Sequence, residues 1–314
     1  MGRSPVQSRP EAPGLKEKDR YDLGVRSISV GTFTKSILIE VARIQGLLSE
    51  AEIEVRELPV RSSPAQFEAL ESGQIDLAFT NPDNVLAYRY LTSNPLHRSL
   101  DVRIIAAVDR GLGVSLCYAP ELTHPPLTFG VDVPNSGFAF VGYELLAMSG
   151  VAYGSYQIVS LGSTPKRRVE LTGHRVEATI LNAGNELKAI SQGALQVADV
   201  ALVGRYIGTV LATLGKPTST VIDFQAIINK VISEILAGQH KELIVAAARK
   251  NLELDEEFAA LHYAAMLSSD HGLVSDGVVD QDSINTIIAL RRKYLPSPDL
   301  DGIIRDWSAL VSTI

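Results

Sequence analysis

The feature that most constrains this chain is an internal duplication. Val176-Glu177-Ala178-Thr179-Ile180-Leu181-Asn182-Ala183-Gly184-Asn185 aligns beneath Ile75-Asp76-Leu77-Ala78-Phe79-Thr80-Asn81-Pro82-Asp83-Asn84, with Asn on Asn twice, 101 residues apart. At the same offset Ser62-Ser63-Pro64 falls on Ser163-Thr164-Pro165, and a one-residue slip brings Gly73 to Gly173. The match spans a loop, a helix, a strand and a second helix, so the chain is expected to build two similar lobes.

Each copy reads alike. A hydroxyl residue before Pro places an N-cap ahead of a proline at the first helical position, and Gln66, three residues after Ser63, has capping-box spacing. Gly73 ends that helix. Ile75 to Thr80 is a short apolar run with one acidic residue at its mouth, the pattern of a buried parallel strand. Asn81 is expected to end the strand and cap the next helix, with Pro82 at its first position, and Asn182 to do the same in the second copy. A strand that runs straight into a capped helix aims unpaired N–H groups and a partial positive charge beyond its carboxyl end, where ligands bind in open α/β sheets.

At 314 residues the chain is long enough for two α/β lobes of roughly 100–150 residues each. Hydrophobic residues at 46% and charged residues at 21% are those of a globular protein. The net charge of −7, without a basic stretch carrying interleaved aromatics, argues against a nucleic-acid partner. No run of about 18 apolar residues is present to span a membrane. One cysteine, Cys117, cannot form an internal disulfide and reads as a buried inert thiol. Residues 1–22, with Pro5, Pro10, Pro13 and the charged cluster Lys16 to Arg20, lack the apolar core of a secretory leader and read as a flexible tail. The localisation expected is extracytoplasmic, periplasmic or cell-surface, if a leader was removed, and cytoplasmic if the chain is native as it stands.

In order, strands are expected at Arg26 to Val30, Ile53 to Val60, Val102 to Val108 and Val114 to Tyr118, with Gly111-Leu112-Gly113 as a tight turn. The proline-rich stretch Pro120 to Pro126 suits a crossing into the second lobe, and the chain returns near Val197 to Ile207. Lobe one then takes residues 23–119 and 205–314, and lobe two residues 120–204. From Asp223 onward the pattern is helical only, ending in a helix from Leu300 to Ser312 whose face Ile303, Ile304, Trp307, Leu310 and Val311 is expected to pack on lobe one.

Laid out in this way, the chain resembles the type II solute-binding proteins of ABC importers, in the branch of the sulfonate, taurine and nitrate receptors and the thiamine-pyrimidine-precursor proteins. The likeness runs from about Ser27 to the C-terminus. It is carried by Ser62-Ser63-Pro64, by Ser72-Gly73-Gln74-Ile75-Asp76-Leu77-Ala78-Phe79 and by Asp132-Val133-Pro134-Asn135-Ser136-Gly137. It implies an α/β fold of two Rossmann-like lobes with hinge crossings, the type II periplasmic binding protein architecture, and a helical C-terminal segment packed on lobe one. Carried over by position, lobe one contributes the loop Gly31–Ser36 with Thr32, Phe33 and Lys35, the turn Arg61, Ser62 and Ser63, and the junction Thr80, Asn81, Asp83 and Asn84. Lobe two contributes Asn135, Ser136, Gly137 and Phe138, then Ser163 and Thr164, then Asn182 and Asn185. These are the strand-to-helix junctions already marked out by the residues themselves.

Other chemistry is thin. The six histidines, His97, His124, His174, His240, His262 and His271, show no metal spacing, and surface or core roles are the ordinary reading. Gly162-Ser163-Thr164-Pro165-Lys166-Arg167 lacks phosphate-loop spacing, and no nucleophile elbow is present. No catalytic residue, metal or cofactor is therefore expected. Of Lys35, Arg61, Lys166 and Arg167, exposure to solvent is the default fate, and Lys35 and Arg61 are the best ligand candidates because helix N-termini adjoin them. Phe33 and Phe138, at loop tips, can wall an apolar ligand body, whereas Phe140 can equally be lobe core.

Three readings follow, two of them leading. One is a non-enzymatic binding protein for a small polar or anionic organic solute, delivering it to an ABC permease. The other is a cytoplasmic enzyme of lyase, decarboxylase or desulfinase type on the same scaffold. A regulatory effector domain is a third, and would need a DNA-binding region.

Overall fold

The computed structural model describes residues 25–298, 300, 310 and 311. The expected tail and most of the expected Leu300–Ser312 helix lie outside the described residues. Of that helix, Leu300 and Leu310 are buried and Val311 bridges to Ile104 in parallel.

Among the described residues, ten strands form two five-stranded sheets of the same plan. In the first, the order is β2 (Ile53–Pro59), β1 (Arg26–Thr32), β3 (Leu77–Thr80), β10 (Thr209–Leu214) and β4 (Val102–Asp109). In the second it is β7 (Gln157–Ser160), β6 (Thr128–Val131), β8 (Ala178–Leu181), β5 (Ser115–Tyr118) and β9 (Leu195–Asp199). In each sheet the first three strands are parallel and the fourth runs antiparallel to both neighbours. The duplicated units give β3 and β8, which occupy equivalent third positions, each preceded by a helix, α3 (Ser63–Glu71) and α6 (Thr164–Thr172). Both units put the strand's carboxyl end beside the N-terminus of a following helix, α4 (Pro82–Tyr90) and α7 (Asn185–Ser191).

One expectation is corrected. Ser115–Tyr118, read as a lobe-one strand, pairs with β8 and β9 and belongs to the second sheet. The chain crosses between the sheets at Arg110–Val114, not at Pro120–Pro126. Gly111 and Gly113, at φ +94° and +69°, do not close a hairpin there. They steer the chain across, held by Asp109 Oδ1 accepting from the N–H groups of Gly111 (2.7 Å) and Leu112 (3.0 Å). The return runs between Asp199 and Thr209, through the 3-10 turn Val200–Val203.

The helices cover the sheets as their apolar faces require. α1 (Ile37–Ile44), the short α2 (Leu47–Glu50), α8 (Ser219–Leu236) and α9 (Lys241–Asn251) bury Ile39, Val41, Leu48, Phe224, Ile228, Val231, Ile232 and Ile244 in a core on lobe one. α5 (Gly137–Met148) buries Phe140, Tyr143, Leu145 and Leu146 in a second core that runs from lobe two to lobe one. The helical segment does more than pack on lobe one. α10 (Glu256–Met266) touches α7, and α11 (Gln281–Tyr294) lies against both α4 and α5. Among the described residues, no helix is long and apolar enough to cross a membrane.

Candidate ligand-binding cleft

A cavity of about 130 Å³ lies between the lobes, walled by the carboxyl ends of both sheets. Lobe one reaches it through the loop after β1 and the junction after β3. The first supplies Thr32, Phe33 and Lys35, together with Thr34 and Ser36. Its shape is set by Glu57, whose Oε1 accepts from Thr32 Oγ1 at 2.9 Å and from the Ser36 N–H at 2.7 Å, and by Ser36, which caps α1. Burial raises the Glu57 pKa. The second supplies Thr80, Asn81 and Asn84. Lobe two contributes Ser136 and Phe138 after β6, Thr164 after β7 and Asn182 after β8.

The remaining residues singled out from sequence stand around the cavity and do not line it. The cap expected at Ser63, directly before Pro64, falls one residue earlier: Ser62 caps α3, and the Ser63 N–H donates to Asp132 Oδ2 across the cleft at 3.1 Å. The capping-box reading of Gln66 gives way to a different bond: its Nε2 donates to Gly31 O and Phe79 O, fastening β1 to β3. Arg61 is exposed, and its carbonyl lies where a Cβ on Gly162 would be. Ser163 precedes α6 without a side-chain capping bond. Asp83 is turned away by a stronger partner. Its carboxylate accepts two hydrogen bonds from Arg291, whose Nη2 also donates to Asn135 O. Gly137 packs directly against Asn81 and Asp83. Asn185 donates to Thr34 Oγ1 at 3.1 Å, a bond between lobes.

The two matching asparagines differ. Asn81 is a true cap, accepting from the Asp83 N–H at 2.9 Å while its amide donates to Tyr206 OH and Gly208 O. Asn182 is no cap. Ala183 and Gly184 both take positive φ and delay α7 to Asn185, which leaves Asn182 Oδ1 free to accept from Thr164 Oγ1 at 3.0 Å.

Several lining residues come from places that local sequence reading passes over. Asp109 and Thr209 sit at the two crossings, and burial raises the Asp109 pKa. Leu252, His262, Met266 and Leu273 reach the cavity from the helical segment, a contact that no periodicity reveals. Arg167, read as a solvated side chain, is 2% exposed: Nε donates to Ile180 O, Nη1 to Gly162 O and Nη2 to Thr164 Oγ1. Burial brings its pKa down to about 10, so it remains charged at neutral pH. Asp132, immediately after β6, heads one of the motifs quoted above, and its place at a strand's carboxyl end is the signal that could have found it. The walls are thus mixed: phenylalanine and aliphatic surfaces, hydroxyl and amide groups, one buried guanidinium and buried acids. Among the described residues, no group of three or more His, Cys, Asp or Glu is placed to hold a metal ion.

Two like-built α/β lobes, joined by two crossings and enclosing a cavity, define the type II periplasmic binding protein fold. Solved structures agree with this. The periplasmic nitrate-binding protein NrtA from Synechocystis PCC 6803 matches with a TM-score of 0.69 at 12% identity, over 90% of this chain and 86% of that one. The alkanesulfonate-binding protein SsuA from Xanthomonas axonopodis pv. citri, bound to MOPS, matches at 0.66 and 12% identity, over 92% and 96%. A Candida albicans protein described as exhibiting the generic periplasmic binding protein fold matches at 0.68 and 16% identity, over 92% and 96%. At such identities the likeness establishes the fold. No family model and no curated protein matches the sequence.

Proposed function

We propose that this protein is a non-enzymatic binding protein that closes its two lobes over a small polar organic solute and serves as the substrate-binding component of an ABC importer, outside the cytoplasm. The observation that carries this is the cavity itself, whose wall draws on strand-to-helix junctions of both sheets. Solvent-facing groups of a single lobe would not need such a pairing; a molecule held between lobes does. Solved structures of similar fold carry titles that name alkanesulfonate and nitrate binding, which supports the same class of role. The ligand residues we assign to the cavity are Thr32, Phe33, Lys35, Thr80, Asn84, Ser136, Phe138, Thr164 and Asn182, with Arg167 as a buried positive charge.

A thermal-shift screen over sulfonates, carboxylates, pyrimidines and amines tests this, with small-angle scattering on each hit. A bound solute raises Tm by mass action and holds the closed form, at the smaller radius of gyration. Hits that leave a scattering profile as open as that of the free protein would sink the closing-cleft mechanism. Steady conversion of a hit, followed by mass spectrometry and proportional to protein concentration, would sink the non-enzymatic reading.

A further inference from the structure

Two buried polar side chains in the cavity wall have atoms that the protein leaves without a partner. On lobe two, Asp132 is 9% exposed; its Oδ2 accepts from the Ser63 N–H, and its Oδ1 has no partner. From the helical segment, His262 on α10 is 2% exposed and its Nδ1 has no partner. Among the described cavity-lining residues, only these two hold a fully buried, unpartnered side-chain nitrogen or oxygen. Folded proteins seldom leave such atoms unpaired, because a desolvated donor or acceptor gives up its water and gains nothing in return. Two of them on residues that line one cavity, from different parts of the chain, leave hydrogen-bonding capacity that an occupant meets after a turn of the carboxylate and of the ring.

Their chemistry limits the occupant. A carboxylate oxygen only accepts, so the group that meets Asp132 must bring an N–H or O–H, and an oxyanion there would be repelled. Arg167 is close enough to feel the Asp132 charge, but its Nε, Nη1 and Nη2 each already donate within lobe two. The surroundings of His262, with Leu252, Met266 and Leu273 in the same wall, are apolar. Burial pushes the imidazole down to about 4, so at neutral pH the ring is uncharged, with one donor and one acceptor nitrogen.

Resting on the reading that the cavity holds a solute, we infer that Asp132 and His262 select it. The solute has an apolar body with a hydroxyl, amide or amine donor directed at Asp132, and a second, uncharged polar group directed at His262. Its chemistry therefore differs from that of the sulfonates and nitrate named for the structural neighbours.

Four compounds of one skeleton test this: 4-hydroxybenzamide and 4-hydroxybenzylamine carry a donor at each end and no negative charge, while 4-hydroxybenzoate and 4-hydroxybenzenesulfonate place an oxyanion opposite the same hydroxyl. Melting temperature and calorimetric affinity are measured at pH 7, and the His262 ring nitrogens are followed by NMR of protein labelled with 15N-histidine, assigned with His262→Phe. The donor compounds are expected to raise Tm, to shift the His262 signals, and to bind at least tenfold more weakly to Asp132→Ala and to His262→Phe. Should Asp132→Ala not fold, His262→Phe and the spectra of the unmutated protein still decide. Preference for the oxyanions, or donor binding that neither moves the His262 signals nor weakens in the variants, overturns the inference and leaves solute binding intact. A flat response to all four alongside hits in the broader screen does the same, and a flat response throughout overturns both.

Discussion

Arg291 and Asp83, 208 positions apart, meet as a buried ion pair: Nε and Nη2 donate to the two carboxylate oxygens at 2.6 and 2.7 Å. Their side chains are 3% and 1% exposed. Asp83 belongs to the first turn of α4 in lobe one. Arg291 also donates to Asn135 O of lobe two and lies over the Phe140 ring at 5.0 Å. The pair therefore fixes α11 at the seam between the lobes. Removing one partner strands the other charge, and Arg291→Met is expected to cost about 3–5 kcal/mol in urea denaturation. A loss below about 1 kcal/mol would show that the charge of Asp83 finds water or another partner.

Local structure is legible in the sequence where the physics is local. Caps at Ser36, Asn81, Ser136, Asp255 and Asp280 accept the bonds their residue types favour, while the cap expected at Ser63 falls to its neighbour Ser62. Duplicated residues built equivalent strands because identical short-range pattern meets identical sheet plan. What escaped was long-range. A Gly-Leu-Gly turn has the same sequence whether it closes a hairpin or carries a chain across to another sheet, and only the pairing of Ser115 with Leu181 and Asp199 decides. His262 looks like any helical histidine until α10 is docked, and Asp83 looks like a ligand group until Arg291 arrives from the far end of the chain.

Stability should fall on both sides of weakly acidic pH, for two separable reasons. Asp280 caps α11 and also takes Arg110 from the first crossing and Arg205 from the second. Burial alone would raise its pKa, but the Ser283 N–H, Arg110, the Ser283 hydroxyl and Arg205 outweigh that and hold it well below the usual range. A depressed folded pKa gives stability that is present above the unfolded value, about 3.9, and lost as pH falls through the folded one. Asp280→Asn should therefore flatten the acid limb of stability below about pH 4.

Glu186 acts in the opposite direction. It is buried beneath the Gly113 turn, and burial, only partly offset by the N–H groups of Glu186 and Gly184, pushes its carboxyl up to about 8. The folded state then keeps a proton that the unfolded state releases near pH 4.3, so stability declines as pH rises from about 4.3 toward 8. Denaturation midpoints across this range should fall in the native protein and fall less in Glu186→Gln. An equal decline in both would remove Glu186 as the cause.

The asparagine pair gives a contrast within one protein. Asn81→Ala removes a cap and leaves Tyr206 OH and Gly208 O without their donor in a buried site, an expected loss of about 2–3 kcal/mol. Asn182→Ala removes one bond from Thr164 and no cap, an expected loss of about 1 kcal/mol or less. Chemical denaturation of both variants decides. Equal losses would mean that the asparagines are structurally equivalent after all.

A tight approach of the lobes at Gly137 gives a direct test of closure. Gly137 opens α5, and a Cβ there would stand 2.1 Å from Asn81 Oδ1 and 2.7 Å from Asp83 Cβ. Neither neighbour can step aside, since Asn81 is held by three hydrogen bonds and Asp83 by Arg291. Alanine suits a helix better than glycine, so Gly137→Ala leaves each lobe's own fold unharmed and acts on the distance between them. Circular dichroism should be unchanged while small-angle scattering shows a larger radius of gyration. If the closed form drops to about a tenth of the population, the affinity of any solute found in the screen falls about tenfold, because only that form is competent. A variant with the compact scattering profile and undiminished affinity would mean that the α4–α5 contact yields by local adjustment, and that closure does not depend on this glycine.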